Sequence, residues 1–495
     1  MDPMIRQTHA RQTPVVWLAA LAFVVIVPAA IGLASVGRSN ATVPPEGSVA
    51  GPDSIAAVTA PSVAPSVGPA APASVAPAGI VAPATVGLDP GTVNRTSMNL
   101  TVGYDATVRL SFGTRSFRVI STMNVVNTSG VAIDRLELNT IAARLGRMTL
   151  TLARADGRDV RATVRDQTIT VPLGGILQPG ARVTVRVGYR ATLRSDTAGS
   201  NWLFTRVNGV LAAHRWLPWI SKPTAFNRPN HGDPFVTPVS PLVRVTIVSD
   251  RAVRWATTGE QTGGSGTTKT FEARNVRDFV FTGAPDYRTV SATVGAVRIN
   301  VWYRPGFPAS STLAAAKTAL AREAKLLGAY PYKTYDIAQT GGGYGMESPG
   351  LTWIPRGAGS LGYLVAHETA HQWFYGIVGN DQARQPYADE AAADFVARYV
   401  TGLRRGSRCS TGRLDLTIYQ YSSACYYETI YIQGGNFLDD TRRRMGSTAF
   451  WAGIRDYLAT YRFKFGSTKA LLDTLDDHTP LNLVPRYEPR FPGLY

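Results

Sequence analysis

The chain has 495 residues, of which 44% are hydrophobic, so two or three domains can each bury a core and length excludes no class of function. Its 51 Lys+Arg against 34 Asp+Glu leave a formal net charge of +17, a balance that favours acidic partners. That charge is nearly all arginine scattered singly, with one compact run at Arg442, Arg443 and Arg444. No zinc finger or RNA-binding signature accompanies it, so no nucleic-acid partner is expected.

At the start of the chain, Arg6 and Arg11 precede an uncharged apolar run from Val15 to Val36, which is long enough to cross a bilayer. Residues 1–37 read as a membrane anchor with a cytoplasmic N-terminus. Small residues around Gly32 and Ala34 keep a cleaved signal segment as the alternative. On either reading the folded part is expected outside the cytoplasm, membrane-anchored in one case and secreted in the other. Residues 38–93 are Ala, Pro, Val, Ser and Gly with almost no charge and no aromatic side chain, so they read as a disordered, extended linker.

Residues 94–305 hold many short β-branched segments, among them Ala106–Phe112, Phe117–Val126, Arg182–Tyr189 and Val243–Val248, punctuated by Gly and Asn turns. They predict an antiparallel β domain. In the third segment Val183, Val185 and Val187 alternate with Arg182, Thr184 and Arg186, so the valines should face inward. In residues 306–495 the apolar spacing turns helical, with Ala314–Leu327, Leu361–Tyr375, Glu390–Val400, Ile430–Met445 and Thr448–Tyr461 as the strongest helices. One strand, Tyr335–Gln339, precedes the run Gly341–Gly345, so this second domain is α+β and mainly helical. Cys409 and Cys425, with 15 residues between them, are spaced for a disulfide that an oxidising exterior would form.

The chemistry concentrates in His367-Glu368-Thr369-Ala370-His371. On a helix, a spacing of four puts both imidazoles on one face, where they can reach one zinc ion. Glu368 then projects beside the metal, placed to take a proton from a zinc-bound water. A catalytic zinc needs a third protein ligand, and Glu390, on the next predicted helix, supplies it. Asp394, one turn later, is expected to orient one of the histidines through its other ring N–H. Asp389 has no assigned role.

His367-Glu-x-x-His371 followed after 18 residues by Glu390 resembles the gluzincin zinc peptidases, and is most similar to the aminopeptidase N family. Further stretches match that family in order. Tyr330-Pro331-Tyr332 and Tyr335-Asp336 precede Gly345-Met346-Glu347-Ser348-Pro349-Gly350-Leu351, which looks like the Gly-x-Met-Glu-Asn motif. His371-Gln372-Trp373-Phe374 continues the zinc motif, and Arg215-Trp216-Leu217-Pro218 is similar to the family's β domain. The resemblance implies a thermolysin-like zinc catalytic domain that holds one Zn2+ ion. It implies that Glu347, beside Gly345 and Met346, binds the free α-amino group of a peptide. It also implies that Tyr431, in Tyr431-Ile432-Gln433-Gly434, stabilises the oxyanion, with Tyr426 and Tyr427 as rivals. The expected function is removal of N-terminal residues from peptides. Cleavage of internal or N-blocked bonds, and a non-catalytic surface binding protein on the same fold, remain as alternatives. No side chain of the β domain is assigned as a second contact for the amine.

Overall fold

The computed structural model describes residues 87–410 and 412–495. The expected anchor, residues 1–37, and nearly all of the expected linker lie outside the described residues. Among those described, no helix is long and apolar enough to cross a membrane.

The β region is built on an eight-stranded sheet. Its strands run Glu260–Ser265, Thr268–Ala273, Val243–Ser249, Thr101–Leu110, Ser116–Val126, Arg182–Thr192, Thr149–Ala155 and Arg158–Asp159 in spatial order. Along Arg182–Thr192 the valines at 183, 185 and 187 are buried while Arg182, Thr184 and Arg186 are exposed, the pleat's period of two written directly in side-chain chemistry. The sheet is antiparallel except where Thr101–Leu110 runs parallel to Val243–Ser249. Two smaller sheets complete this region, one centred on Ile133–Asn139 and Thr168–Leu177, the other on Phe281–Ala284 and Val210–Ala213. The loop between Trp219–Ile220 and Val243–Ser249 reaches the cavity described below.

The fourth sheet moves the expected division of the chain. Arg288–Val294 and Val297–Tyr303 form a hairpin, and the second of these strands then pairs in parallel with Thr334–Thr340, which pairs in parallel with Leu351–Pro355. Residue 305 is therefore no boundary, since the strands just before it belong to the sheet that the helices cover. The helix Ala309–Leu327 makes the crossover between the parallel strands, the usual requirement for joining parallel neighbours. Ile299, Val301 and Ile337 pack into one core with Ala316, Leu320, Val365 and Phe395, so apolar burial, the main source of stability, joins these segments.

The helix carrying the His-Glu-x-x-His motif runs Leu361–Ala370 and does not reach Tyr375. It opens into a wide turn over Gln372–Ile377, in which Phe374 and Tyr375 leave helical backbone angles. Contacts from the β region explain the break. The Tyr375 hydroxyl donates to Asp278 at 2.8 Å and accepts from Arg215 Nη2 at 2.5 Å, and Arg277 donates to the carbonyl of Ile377. A buried carboxylate and two buried guanidiniums need these partners more than the helix needs another turn.

The next helix, Ala392–Thr401, is entered through a wide turn over Tyr387–Ala391, and the one after it, Gly434–Met445, through another over Glu428–Gln433. Small residues let these two helices approach. A methyl group added at Gly434 would lie 2.7 Å from Ala391 Cβ, and one at Gly435 would lie 2.7 Å from Asp394 Oδ2. Cys409 and Cys425 are joined by a disulfide that closes the loop between those helices.

Candidate active site

His367 and His371 lie a turn apart on the buried face of Leu361–Ala370 and its C-terminal cap. Glu390 comes to them from the wide turn that precedes Ala392–Thr401. The two Nε2 atoms are 3.2 Å apart, and Glu390 Oε2 lies 3.4 Å from His367 Nε2 and 3.3 Å from His371 Nε2. Ligands held at about 2.0–2.2 Å around a tetrahedral ion are separated by about 3.3–3.6 Å, so the three atoms stand at the edges that such an ion requires. Glu390 Oε2 is buried with no hydrogen-bond donor among the described residues, a cost of burial that a bound cation would remove. Burial raises the pKa of Glu390, but the two imidazoles hold it well below the usual carboxylate range, so it is an anion ready to coordinate. The donor set, two imidazoles and one carboxylate with room for a fourth ligand, fits a metal ion of the zinc type.

His371 is oriented by Asp389, whose Oδ1 accepts from Nδ1 at 2.7 Å. Gln382 Nε2 donates to the other oxygen of Asp389. Asp394, expected in that role, contacts neither histidine. It accepts from Tyr363 Oη at 2.5 Å and from Arg398 Nε at 2.6 Å. The helical spacing explains the difference. Asp394 follows Glu390 by one turn and is carried up the helix to Arg398, whereas Asp389 sits in the wide turn, level with the metal ligands. Asp394 touches the metal site only through Tyr363, whose ring stacks on His367 at 5.8 Å.

Glu368 points into the same cavity. Burial, with help from the Glu390 charge and against the pull of His371, pushes its carboxyl up to about 8. A divalent cation beside it would draw that value down. Gly345 lies directly against this carboxylate, and a methyl group at Gly345 would sit 2.1 Å from Glu368 Oε1. None of Gly341 to Gly345 has a positive φ, so what these glycines permit is close approach, at Gly341 to Val207 and at Gly342 to Trp202.

Glu347, 5% exposed, lies at one end of the cavity. Its segment is tied to the metal helix by Gln372, whose Oε1 accepts from Gly350 N–H at 2.8 Å and whose Nε2 donates to the Ser348 carbonyl at 3.0 Å. Met346 pairs with Trp353 on the neighbouring strand and lines the same cavity. Beside Glu347 is Asp233, 7% exposed, from a loop of the β region. The two carboxyls line the same cavity and their charges act on each other. Burial first, and then each other's charge, push Glu347 well above the usual carboxylate range, and burial raises Asp233 as well. Arg228 faces Asp233 and offsets part of that rise, and a further cation between the pair would be favoured.

Tyr431 completes the cavity, its ring stacked on His367 at 5.5 Å. Burial and the Glu390 charge keep its hydroxyl protonated, the form that donates a hydrogen bond. Tyr426 is buried behind it at 6.0 Å between rings, and Tyr427 is exposed and bonded to Arg405. Neither lines the cavity.

The sequence reading missed Asp233, Asp389, Gln372 and Gln382. Asp389 was visible as the carboxylate next to a ligand, and Gln372 as the residue after His371. No local pattern marks Asp233, which lies 114 positions from Glu347.

No family model matches the chain. Among solved structures it is similar to an M1 zinc metallopeptidase from Deinococcus radiodurans, with 21% identity over 77% of this chain and 90% of that one and a TM-score of 0.61. A mutant of that enzyme bound to a Tyr-Ser-Ala substrate gives a TM-score of 0.63 at 21% identity, over 79% of this chain and 93% of that one. A two-domain M1 zinc metallopeptidase mutant bound to L-arginine gives a TM-score of 0.61, again at 21% identity. This likeness is one of fold, a β-rich region followed by helices, shared along nearly the whole length of those chains.

Proposed function

We propose that the chain is a zinc-dependent aminopeptidase that removes N-terminal residues from peptides. The observation that carries this reading is one cavity with three ligand atoms at tetrahedral spacing beside Glu368 and a pair of carboxyls, Glu347 and Asp233, at one end. The fold it shares with M1 zinc metallopeptidases, one of them bound to a tripeptide substrate, supports it.

His367, His371 and Glu390 would hold the ion, with Asp389 fixing the tautomer and orientation of His371. When bound, zinc supplies a Lewis acid beside the scissile carbonyl. Glu347 and Asp233 pair with the substrate's α-ammonium, which fixes the first peptide bond over the ligands. Glu368 takes the proton from the attacking water and carries it toward the leaving amine. Tyr431 donates to the oxyanion that develops on the carbonyl. We place this reaction outside the cytoplasm, in a protein anchored by residues 15–36 or secreted after their removal. The apolar run and the Cys409–Cys425 disulfide support that placement.

The test is hydrolysis of aminoacyl amides and their N-acetylated counterparts, with chelator and zinc add-back and with Glu368→Gln. The expected result is chelator-sensitive cleavage of free-amine substrates only, and a Glu368→Gln protein that retains metal but loses about 10²–10⁴-fold in kcat. Equal cleavage of acetylated substrates would transfer the reading to internal or N-blocked bonds. Inactivity of a metal-loaded wild type on peptides of every kind would leave a binding protein.

A further inference from the structure

The wall of the cavity that comes from the β region carries a cation that the chemistry above does not use. Arg228 lines the cavity together with Asp233 and Glu347, and it is largely buried. Its guanidinium lies over the Phe226 ring at 5.2 Å, and Nη1 donates to the Phe226 carbonyl at 2.9 Å. Its Nε is buried with no partner, and among the described residues Arg228 makes no ion pair. Arg215 in the same region shows what a structural arginine does here, since it sits 3.6 Å from Asp278 and bonds to Thr237 and Tyr375. The Arg228 charge faces that of Asp233, and the unpartnered Nε leaves donor capacity for a second carboxylate, which a ligand would provide.

Its position says which part of a ligand that is. Arg228 lines the cavity with Asp233 and faces its charge, so where Asp233 holds the α-ammonium, Arg228 meets the substrate's first residue. A cation beside an ammonium site weakens binding of neutral and basic residues. It strengthens binding of a residue that carries its own carboxylate. His231 stands at the rim of the same wall with its ring against Tyr344 at 5.4 Å, and Tyr344 packs on Trp202 at 5.9 Å.

We infer that Arg228 selects substrates whose first residue is aspartate or glutamate, pairing with the side-chain carboxylate while Glu347 and Asp233 hold the α-ammonium. This rests on the aminopeptidase reading. The test is kcat/KM of the zinc-loaded full chain on amides of Asp, Asn, Glu, Gln, Ala and Leu, for the wild type, Arg228→Gln and Arg228→Lys. The expected result is Asp over Asn and Glu over Gln by about 10- to 100-fold, the range of a charge-assisted contact. The ratios should fall to near one in Arg228→Gln and be partly kept in Arg228→Lys. Competitive inhibition by free L-aspartate compared with L-asparagine reads the same preference in the wild type, should Arg228→Gln not fold. Ratios at or below one in the wild type, or unchanged in Arg228→Gln, would overturn the inference while cleavage of the Ala and Leu amides leaves the aminopeptidase standing. Failure to cleave any of the six overturns both.

Discussion

The two walls of the cleft are built by different means. The helical wall carries two imidazoles a turn apart and Glu390 on the next segment, and side chains of the same wall tie parts of it: His371 by Asp389, Asp389 by Gln382, and the Glu347 segment by Gln372. The wall from the β region contributes Asp233, Arg228, His231 and Trp202 from loops, each brought in by folding of a sheet far away in sequence. On the proposed reading, the chemistry common to any peptide sits on the helical wall, and what distinguishes one substrate from another sits on the loops. This division follows from what loops tolerate, because their residues can change without repacking a core.

The strongest test of the helical wall is Gly345→Ala. Its methyl group would meet Glu368 at 2.1 Å, so the base or the segment around Gly345 must shift, and a displacement of that order is expected to lower kcat by about 100-fold with the fold intact by circular dichroism. Asp389→Asn should come next, weakening zinc about 10- to 100-fold in a competitive chelator titration. Asp394→Asn should leave zinc affinity within about twofold and lower the melting temperature instead, since it disturbs the buried Arg398 pair. Equal effects of the two on zinc would collapse the distinction drawn between them. On the opposite wall, Asp233→Asn should raise KM for free-amine substrates about tenfold or more, with little change in metal content. A change in metal content would show that the two walls are not separable.

The smallest effect is one of stability alone. Asp336 lies in the strand Thr334–Thr340, buried, accepting from Asn300 Nδ2 at 2.7 Å, and burial raises its pKa to about 7. A carboxyl whose folded pKa is raised binds its proton more tightly in the folded state. The stability it contributes is therefore fully present below its unfolded value of about 3.8 and is lost as pH rises through about 7. Asp336→Asn should flatten that dependence, so that denaturant melts at pH 5 and pH 8 differ less than in wild type, by on the order of 2 kcal/mol.

Much of this architecture was legible in the chain. The alternation in Arg182–Thr192 and the helical spacing of Leu361–Ala370 and Gly434–Met445 match the elements formed, because each pattern is set by burial of one face. Element ends were less legible. The metal helix stops five residues before its apolar spacing does, since Tyr375 is held by Arg215 and Asp278, and no local signal reports a contact across 160 positions. The division expected at residue 305 failed for the same reason, because strand pairing between Val297–Tyr303 and Thr334–Thr340 cannot be read from either strand alone.

The sequence by itself determined the three ligand types, the spacing that puts two on one helix face, and Glu368 beside them, because one turn of helix converts a four-residue interval directly into a distance. Only the tertiary structure decided that Asp389 and not Asp394 orients His371, and that Asp233 and Arg228 line the same cavity as Glu347. Those placements depend on wide helical turns and on loops that follow strands, where position along the chain no longer fixes direction in space.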